Sequence, residues 1–183
     1  MVVTPSTPYD AKGLLNTAIL DENPVLFFEH KKLLNLTGHV PEEYYTIPFG
    51  KADLKRAGKD ITIIATQAMV HRSLRVAEIF AKEGIEIEIL DPRTLKPLDK
   101  ESILESVKKT GRLIVADEGP VTCGVASEIS AMVAEEAIEY LQAPVLRVGS
   151  PDAPAPTSPP LEKAYIPDED DVTEAVNKMK AFL

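Results

Sequence analysis

Apolar positions along the chain follow two periods, one of helices and one of strands. Ala11, Leu14, Leu15, Ala18 and Ile19 recur at helical spacing. Thr7 is placed to cap that helix, with Pro8 at its first position and Asp10 three residues on. Asp21-Glu22-Asn23-Pro24 ends it, because the residue before a proline is pushed out of the helical region. Val25-Leu26-Phe27-Phe28 then forms an unbroken apolar run, the pattern of a strand covered on both faces. Such a strand needs neighbours, and the residues before it show no strand pattern. Residues 1–30 are therefore expected to be the last helix–strand unit of a domain whose earlier strands lie outside this sequence.

Residues 31–50 are polar with Tyr and Pro, and are expected to be an interdomain linker. A second domain is expected over 51–183. Lys51 to Arg56 predicts a short edge strand before the apolar strand Ile61 to Ala65. Val70, Leu74, Ala77 and Ala81 predict a helix stopped by Gly84, and Ile85, Ile87 and Ile89 alternate with Glu86 and Glu88 as a half-exposed strand. A shorter helix follows, capped by Asp99 and ending in Lys108, Lys109 and Gly111, where cations suit the negative end of the dipole. Leu113 to Ala116 predicts a strand, 125–141 a helix, and Val145 to Val148 another strand. This alternation implies an α/β fold: a mainly parallel sheet with helices on both faces. Six prolines in 151–167 predict an extended arm, and Asp168 starts a last helix over 168–182 whose apolar face is Val172, Ala175, Val176, Met179 and Phe182.

Composition narrows the classes. In 183 residues, 44% are hydrophobic and 27% charged, which is ordinary globular usage, and no apolar run approaches the roughly 18 residues of a membrane span. Neither a membrane nor a secretory or transit signal is indicated, so the expected setting is cytoplasmic. The single Cys123 excludes an internal disulfide and a cysteine-clustered metal site. A net charge of -9 argues against nucleic acid and for a basic partner.

Ligands of open parallel sheets sit outside the carboxyl ends of the strands, where the polar groups are Asp91, Arg93, Asp117 and Glu118. Asp117 and Glu118 would suit acid–base work only if burial separated their pKa values; adjacent carboxylates there more often face solvent or cap the next helix. Cys123 precedes a helix with no histidine close in sequence, and packing is its commoner role. His30, His39 and His71 lack metal-ligand spacing, His71 being expected in a first helical turn. The end of the first helix is a better candidate: the carbonyls of Ala18 and Ile19 lack internal partners, and Asp21 and Asn23 add oxygen just beyond, a set that suits a hard cation. Between Leu113 and Leu146 there is no Lys, Arg or His, while Glu128, Glu135 and Glu139 are expected to share a helical stripe. Such a stripe serves solubility or docks a basic partner.

The segments TPYDAKGLL, AILDENPVLFFEHK, YTIPFGKADLKRAG, ILDPRTLKPLD, SVKKTGRLIVADEG and APVLRV, in this order and spacing, resemble the β subunits of thiamine-diphosphate-dependent 2-oxo acid dehydrogenases of the pyruvate, acetoin and branched-chain type. The resemblance covers essentially the whole chain. It implies that 1–30 close a pyrimidine-binding domain and that 51–183 form a transketolase-type C-terminal domain. It also implies that the glutamate activating the cofactor lies upstream, and that an α subunit holds thiamine diphosphate and magnesium, so that this chain alone binds neither. A structural potassium is implied at Ala18, Ile19, Asp21 and Asn23. Implied partners are a second β chain, the α subunit and the basic binding domain of the dihydrolipoyl acyltransferase. Family members often carry an acidic residue where this chain has Gln142, so docking would fall to Gln142, Glu135, Glu139 and the terminal carboxylate of Leu183. The expected role is assembly and docking within a 2-oxo acid dehydrogenase, the isolated chain being inactive. Alternatives are a separately encoded C-terminal subunit of a transketolase-like enzyme and an unrelated flavodoxin-like binding module.

Overall fold

A computed structural model describes residues 1–183. In chain order its elements are β1 (Val2–Val3), α1 (Pro8–Leu20), β2 (Leu26–Phe27), β3 (Asp53–Arg56), β4 (Ile61–Ala65), α2 (Gln67–Ala81), β5 (Ile87–Asp91), β6 (Thr94–Lys96), α3 (Lys100–Thr110), β7 (Leu113–Pro120), α4 (Val125–Glu136), β8 (Leu146–Ser150), α5 (Pro159–Tyr165) and α6 (Glu169–Met179). Five strands form one sheet in the order β3-β5-β4-β7-β8, parallel except for the antiparallel edge strand β3.

The two-residue period of the strands divides the core. Ile61, Ile63, Ile87, Ile89 and Ile114 point to the face covered by α2 and α6, where Met69, Phe80, Val176 and Met179 meet them. Ile64, Leu90, Leu113 and Val115 point to the other face, under Ile103 and Val107 of α3 and Ile129 and Val133 of α4. Both faces are thus closed, which is why these strands read as near-continuous apolar runs. Helix ends follow their local signals. Asp99 Oδ1 accepts from Ser102 N at 3.2 Å, Gly111 closes α3 at φ 68°, and Asp168 and Asp171 form a reciprocal capping box on α6.

Several expectations are corrected. The first strand is not without neighbours in this chain: β2 pairs in parallel with β1, and β1 pairs antiparallel with β6 on its other side. A two-residue strand leaves too little periodicity to see. Nor is the run Val25 to Phe28 covered on both faces, since Leu26 is 59% and Phe28 51% exposed. The strand around Glu88 is not half-exposed. Helix α3 packs over that face, so Glu88 is buried, and its carboxylate accepts from Ser106 Oγ (2.5 Å) and pairs with Lys109. The helix expected over 125–141 stops at Glu136 and a short tight turn follows over Ile138–Tyr140, which takes Glu139 out of the stripe shared by Glu128 and Glu135. The proline-rich arm contains α5, which Pro159 and Pro160 open, since the first helical turn needs no proline N–H. His71 lies in the second turn of α2, not the first, with Nε2 2.7 Å from Ser6 O.

The connection over 31–50 straps α1. Asn16 donates to Tyr45 O (2.8 Å), Thr17 to Ile47 O (2.6 Å), and Tyr9 stacks on Tyr45 at 4.7 Å. Ile47 thereby enters a small core with Val3 and Leu14. No helix is long and apolar enough to cross a membrane.

Candidate functional site

The two ends of the sheet differ in what they leave open. At the carboxyl ends, the sequence-named polar groups are taken up by one another. Asp91, at the end of β5, is fully buried, as is Asp10 in the first turn of α1. Lys55 from β3 lies between them, 2.7 Å from Asp10 Oδ2 and 3.7 Å from Asp91 Oδ2, and also 2.7 Å from Asp53. Arg93 reaches Asp10 at 3.2 Å, Thr7 donates to Asp10 at 2.6 Å, and Ser6 donates to Asp91 in a short contact. Burial pushes the Asp91 carboxyl up to about 6, although Lys55 and Ser6 pull against it. At Asp10 burial acts the same way, but the Lys55 charge and hydrogen bond, with Thr7 and Arg93, outweigh it and hold the carboxyl below its ordinary range. Burial would also lower Lys55, and the facing Asp91 and Asp10 reverse that and raise it.

Beside this cluster, Asp117 accepts from Thr66 Oγ1 (2.6 Å) and from Gly119 N (2.9 Å). Glu118 takes Arg72 at 2.6 Å on one oxygen and His30 Nε2 at 2.5 Å on the other. His30 Nδ1 accepts from Lys32 N (3.2 Å), so the ring proton sits on Nε2 and is donated to Glu118. Arg72 also donates to Pro167 O (2.5 Å). Glu118 thus ties β7 to α2, to the exit of β2 and to the end of the proline-rich arm. Both oxygens of each of the four carboxylates Asp10, Asp91, Asp117 and Glu118 are held in structural contacts. His39 is exposed, away from any of these groups in sequence, and Cys123 is exposed just ahead of α4 in the left-handed region, φ 57°.

At the end of α1, Thr17 O accepts from Asp21 N (3.1 Å), while the carbonyls of Ala18 and Ile19 accept no protein hydrogen bond. Asp21 Oδ1 accepts from Asn23 N (2.8 Å) and Asn23 Nδ2 (2.9 Å), which holds the Asp21 carboxyl below its ordinary range. Ala18 O, Ile19 O, the second Asp21 oxygen and Asn23 Oδ1 remain as a neutral-to-anionic oxygen set, the donor chemistry of a hard cation.

The amino end of the sheet carries the four residues singled out for partner binding. α4 returns from the carboxyl end of β7 to the amino end of β8, so Glu135, Glu139 and Gln142 all lie at that end, and α6 runs back to it with Leu183. Glu135, Glu139 and Gln142 are exposed, while the intervening Glu136 pairs with Lys100 at 2.5 Å. Ile138 (62% exposed) and Leu183 (51%) add apolar surface among the carboxylates.

Periodicity does not reveal Lys55, Arg72 or Arg112, because the partners that give them their roles are distant in sequence: Asp10 lies 45 positions from Lys55, Glu118 46 from Arg72 and Phe182 70 from Arg112. Asp10 is visible only as a helix-start residue, and its burial is not.

Residues 50–172 match the family model described as transketolase, C-terminal domain. The chain is 52% identical over 177 residues to the β subunit of the acetoin:2,6-dichlorophenolindophenol oxidoreductase of Cupriavidus necator, covering 97% of this chain and 52% of that protein. It is 50% identical over 182 residues to the β subunit of the pyruvate dehydrogenase E1 component of Bacillus subtilis, covering 99% and 56%. The chain spans about half the length of these relatives. Among solved structures it is similar to a split gene transketolase, an inactive β4 tetramer, with a TM-score of 0.82 and 28% identity over 99% of this chain and 58% of that one.

Proposed function

The chain belongs to the transketolase C-terminal domain family, and from that premise we propose that it is the assembly and docking part of the β subunit of a 2-oxo acid dehydrogenase of the pyruvate type. In that enzyme a 2-oxo acid is oxidatively decarboxylated and the acyl group passes to lipoyl-lysine; this chain contributes scaffold in the cytoplasm. One observation carries the proposal. The polar groups at the carboxyl ends of the strands are locked to each other, Asp91 and Asp10 on Lys55 and Glu118 on Arg72 and His30, while the uncommitted groups Glu135, Glu139, Gln142 and the terminal carboxylate lie at the opposite end. Family membership sets aside an unrelated flavodoxin-like module.

The partners proposed are a second β chain, an α subunit and the basic binding domain of the dihydrolipoyl acyltransferase, the last meeting the acidic end by field and by charge-assisted hydrogen bonds. Thiamine diphosphate and magnesium belong to the assembled enzyme. The residues of this chain do not fit them, since each strand-end carboxylate already holds a cation or a hydroxyl of its own fold. Potassium does fit the oxygen set of Ala18, Ile19, Asp21 and Asn23, where it would fasten the end of α1 to the turn before β2.

Two measurements test the proposal. Titration calorimetry of the chain with the isolated acyltransferase binding domain is expected to show salt-sensitive one-to-one binding, and heatless mixing at low salt refutes the docking role. With thiamine diphosphate, magnesium and pyruvate, the isolated chain is expected to give no turnover; measured decarboxylation sinks the scaffold assignment.

A further inference from the structure

Arg112, just before β7, is held entirely by main-chain carbonyls. Nε and Nη2 both donate to Phe182 O, at 2.8 and 2.5 Å, and Nη1 donates to Thr110 O (3.0 Å) and Asp60 O (3.3 Å). No carboxylate is in ion-pair range of it. A planar guanidinium whose four hydrogen bonds end on three neutral carbonyls fixes geometry, and no carboxylate pairs with its charge, one residue from the chain's terminal carboxylate. The last turn has little else to hold it: Phe182 is 43% and Leu183 51% exposed, and a short terminal turn without an anchor frays. Next to Arg112, Gly111 O accepts from Gln142 N (2.8 Å), and the Gln142 side chain crosses Gly111 so closely that a Cβ there would stand 2.8 Å from its Cδ. Residues 111–112 therefore fix two of the groups at the docking end, Gln142 and the C-terminus, which are 41 positions apart in the chain (183 − 142).

We propose that Arg112 is a positioning residue for partner docking: it clamps Phe182 so that the carboxylate of Leu183 is presented, at the same end as Gln142, to a cation of an incoming basic partner. This rests on the docking role above. It makes an unusual prediction of sign. Arg112 is itself a cation near a cationic partner, so its removal should tighten binding if only its charge mattered; if it positions the carboxylate, its removal weakens binding.

The test uses the full chain and the isolated acyltransferase binding domain as probe. Arg112→Gln is expected to weaken binding about fivefold, the upper end of an exposed ion pair, and to make the Leu183 amide mobile in NMR relaxation. Arg112→Lys, which keeps the charge and loses the forked contact, is expected to weaken binding as well. In a chain whose C-terminus is amidated, which removes the charge without passing a carboxylate to Phe182, Arg112→Gln is expected to weaken binding no further. Tighter binding by Arg112→Gln, or a weakening that persists in the amidated chain, overturns the proposal. An unmodified chain that does not bind the probe refutes the docking role itself, whereas a Leu183 that stays rigid in Arg112→Gln while docking is normal refutes the positioning role alone.

Discussion

Lys55 and Asp10, 45 residues apart, meet at 2.7 Å in the interior, joining the edge strand β3 to the first turn of α1. Asp91 shares the same lysine at 3.7 Å, so one cation serves two fully buried carboxylates. Breaking such a set by removing one member is costly, because the remaining charges stay desolvated.

Lys55→Met is accordingly expected to destabilise the chain by about 3 to 5 kcal/mol, read as a lower urea midpoint at neutral pH. A loss below about 1 kcal/mol, the size expected of a surface pair, would show that water reaches the cluster.

The pH response of Asp91 has the opposite sign from that of an ordinary paired carboxylate. Its folded value, raised to about 6 from 3.8, means that the fold prefers the protonated form. Its contribution is therefore full below the unfolded value and lost as pH rises through the folded one. Asp10, lowered, contributes above its unfolded value and loses that contribution in acid. Asp91→Asn, which cannot ionise and still accepts from Ser6, should gain stability relative to the unmodified chain between about pH 4 and pH 7. Urea midpoints that keep a constant difference across that range contradict the assignment.

Two glycines should respond differently to alanine. At Gly58 a Cβ would run into the backbone of Glu86 to Glu88, so Gly58→Ala is expected to cost about 3 kcal/mol by forcing β5 away from the turn. Gly84 has open space and only a left-handed φ of 83°, so Gly84→Ala should cost about 1 kcal/mol. Thermal melts that rank them in reverse would be incompatible with the strand register.

Glu118→Gln keeps the shape of the group that links His30 and Arg72 but cannot accept from both. The expected loss is about 1 to 3 kcal/mol, with faster amide exchange over residues 28–34 and at the end of the arm near Pro167. Exchange that stays unchanged there would show that His30 is held by something else.

Much of this architecture is written locally. Thr7, Asp99 and Asp168 announce their helices through capping chemistry, Gly111 ends α3 through its left-handed φ, and the doubly covered strands show as apolar runs. What stays hidden is non-local. β1 is two residues long and has no period, and Glu88 looks like the polar half of an alternating strand until α3 is laid over it with Ser106 and Lys109. Of the residues at the proposed docking end, Glu135, Glu139 and Gln142 are legible as charge pattern and family position, but Arg112 is not, since its partner lies 70 residues away.

The pairing of β1 with both β2 and β6 bears on how the molecule holds together. β6 lies between β5 and α3 in sequence yet completes the small amino-terminal sheet, and Thr4 N donates to Arg93 O at 2.9 Å beside it. The connection over 31–50 is thus one of two joints, and the second is woven from the main chain itself. Cut through that segment, the two pieces would remain clasped.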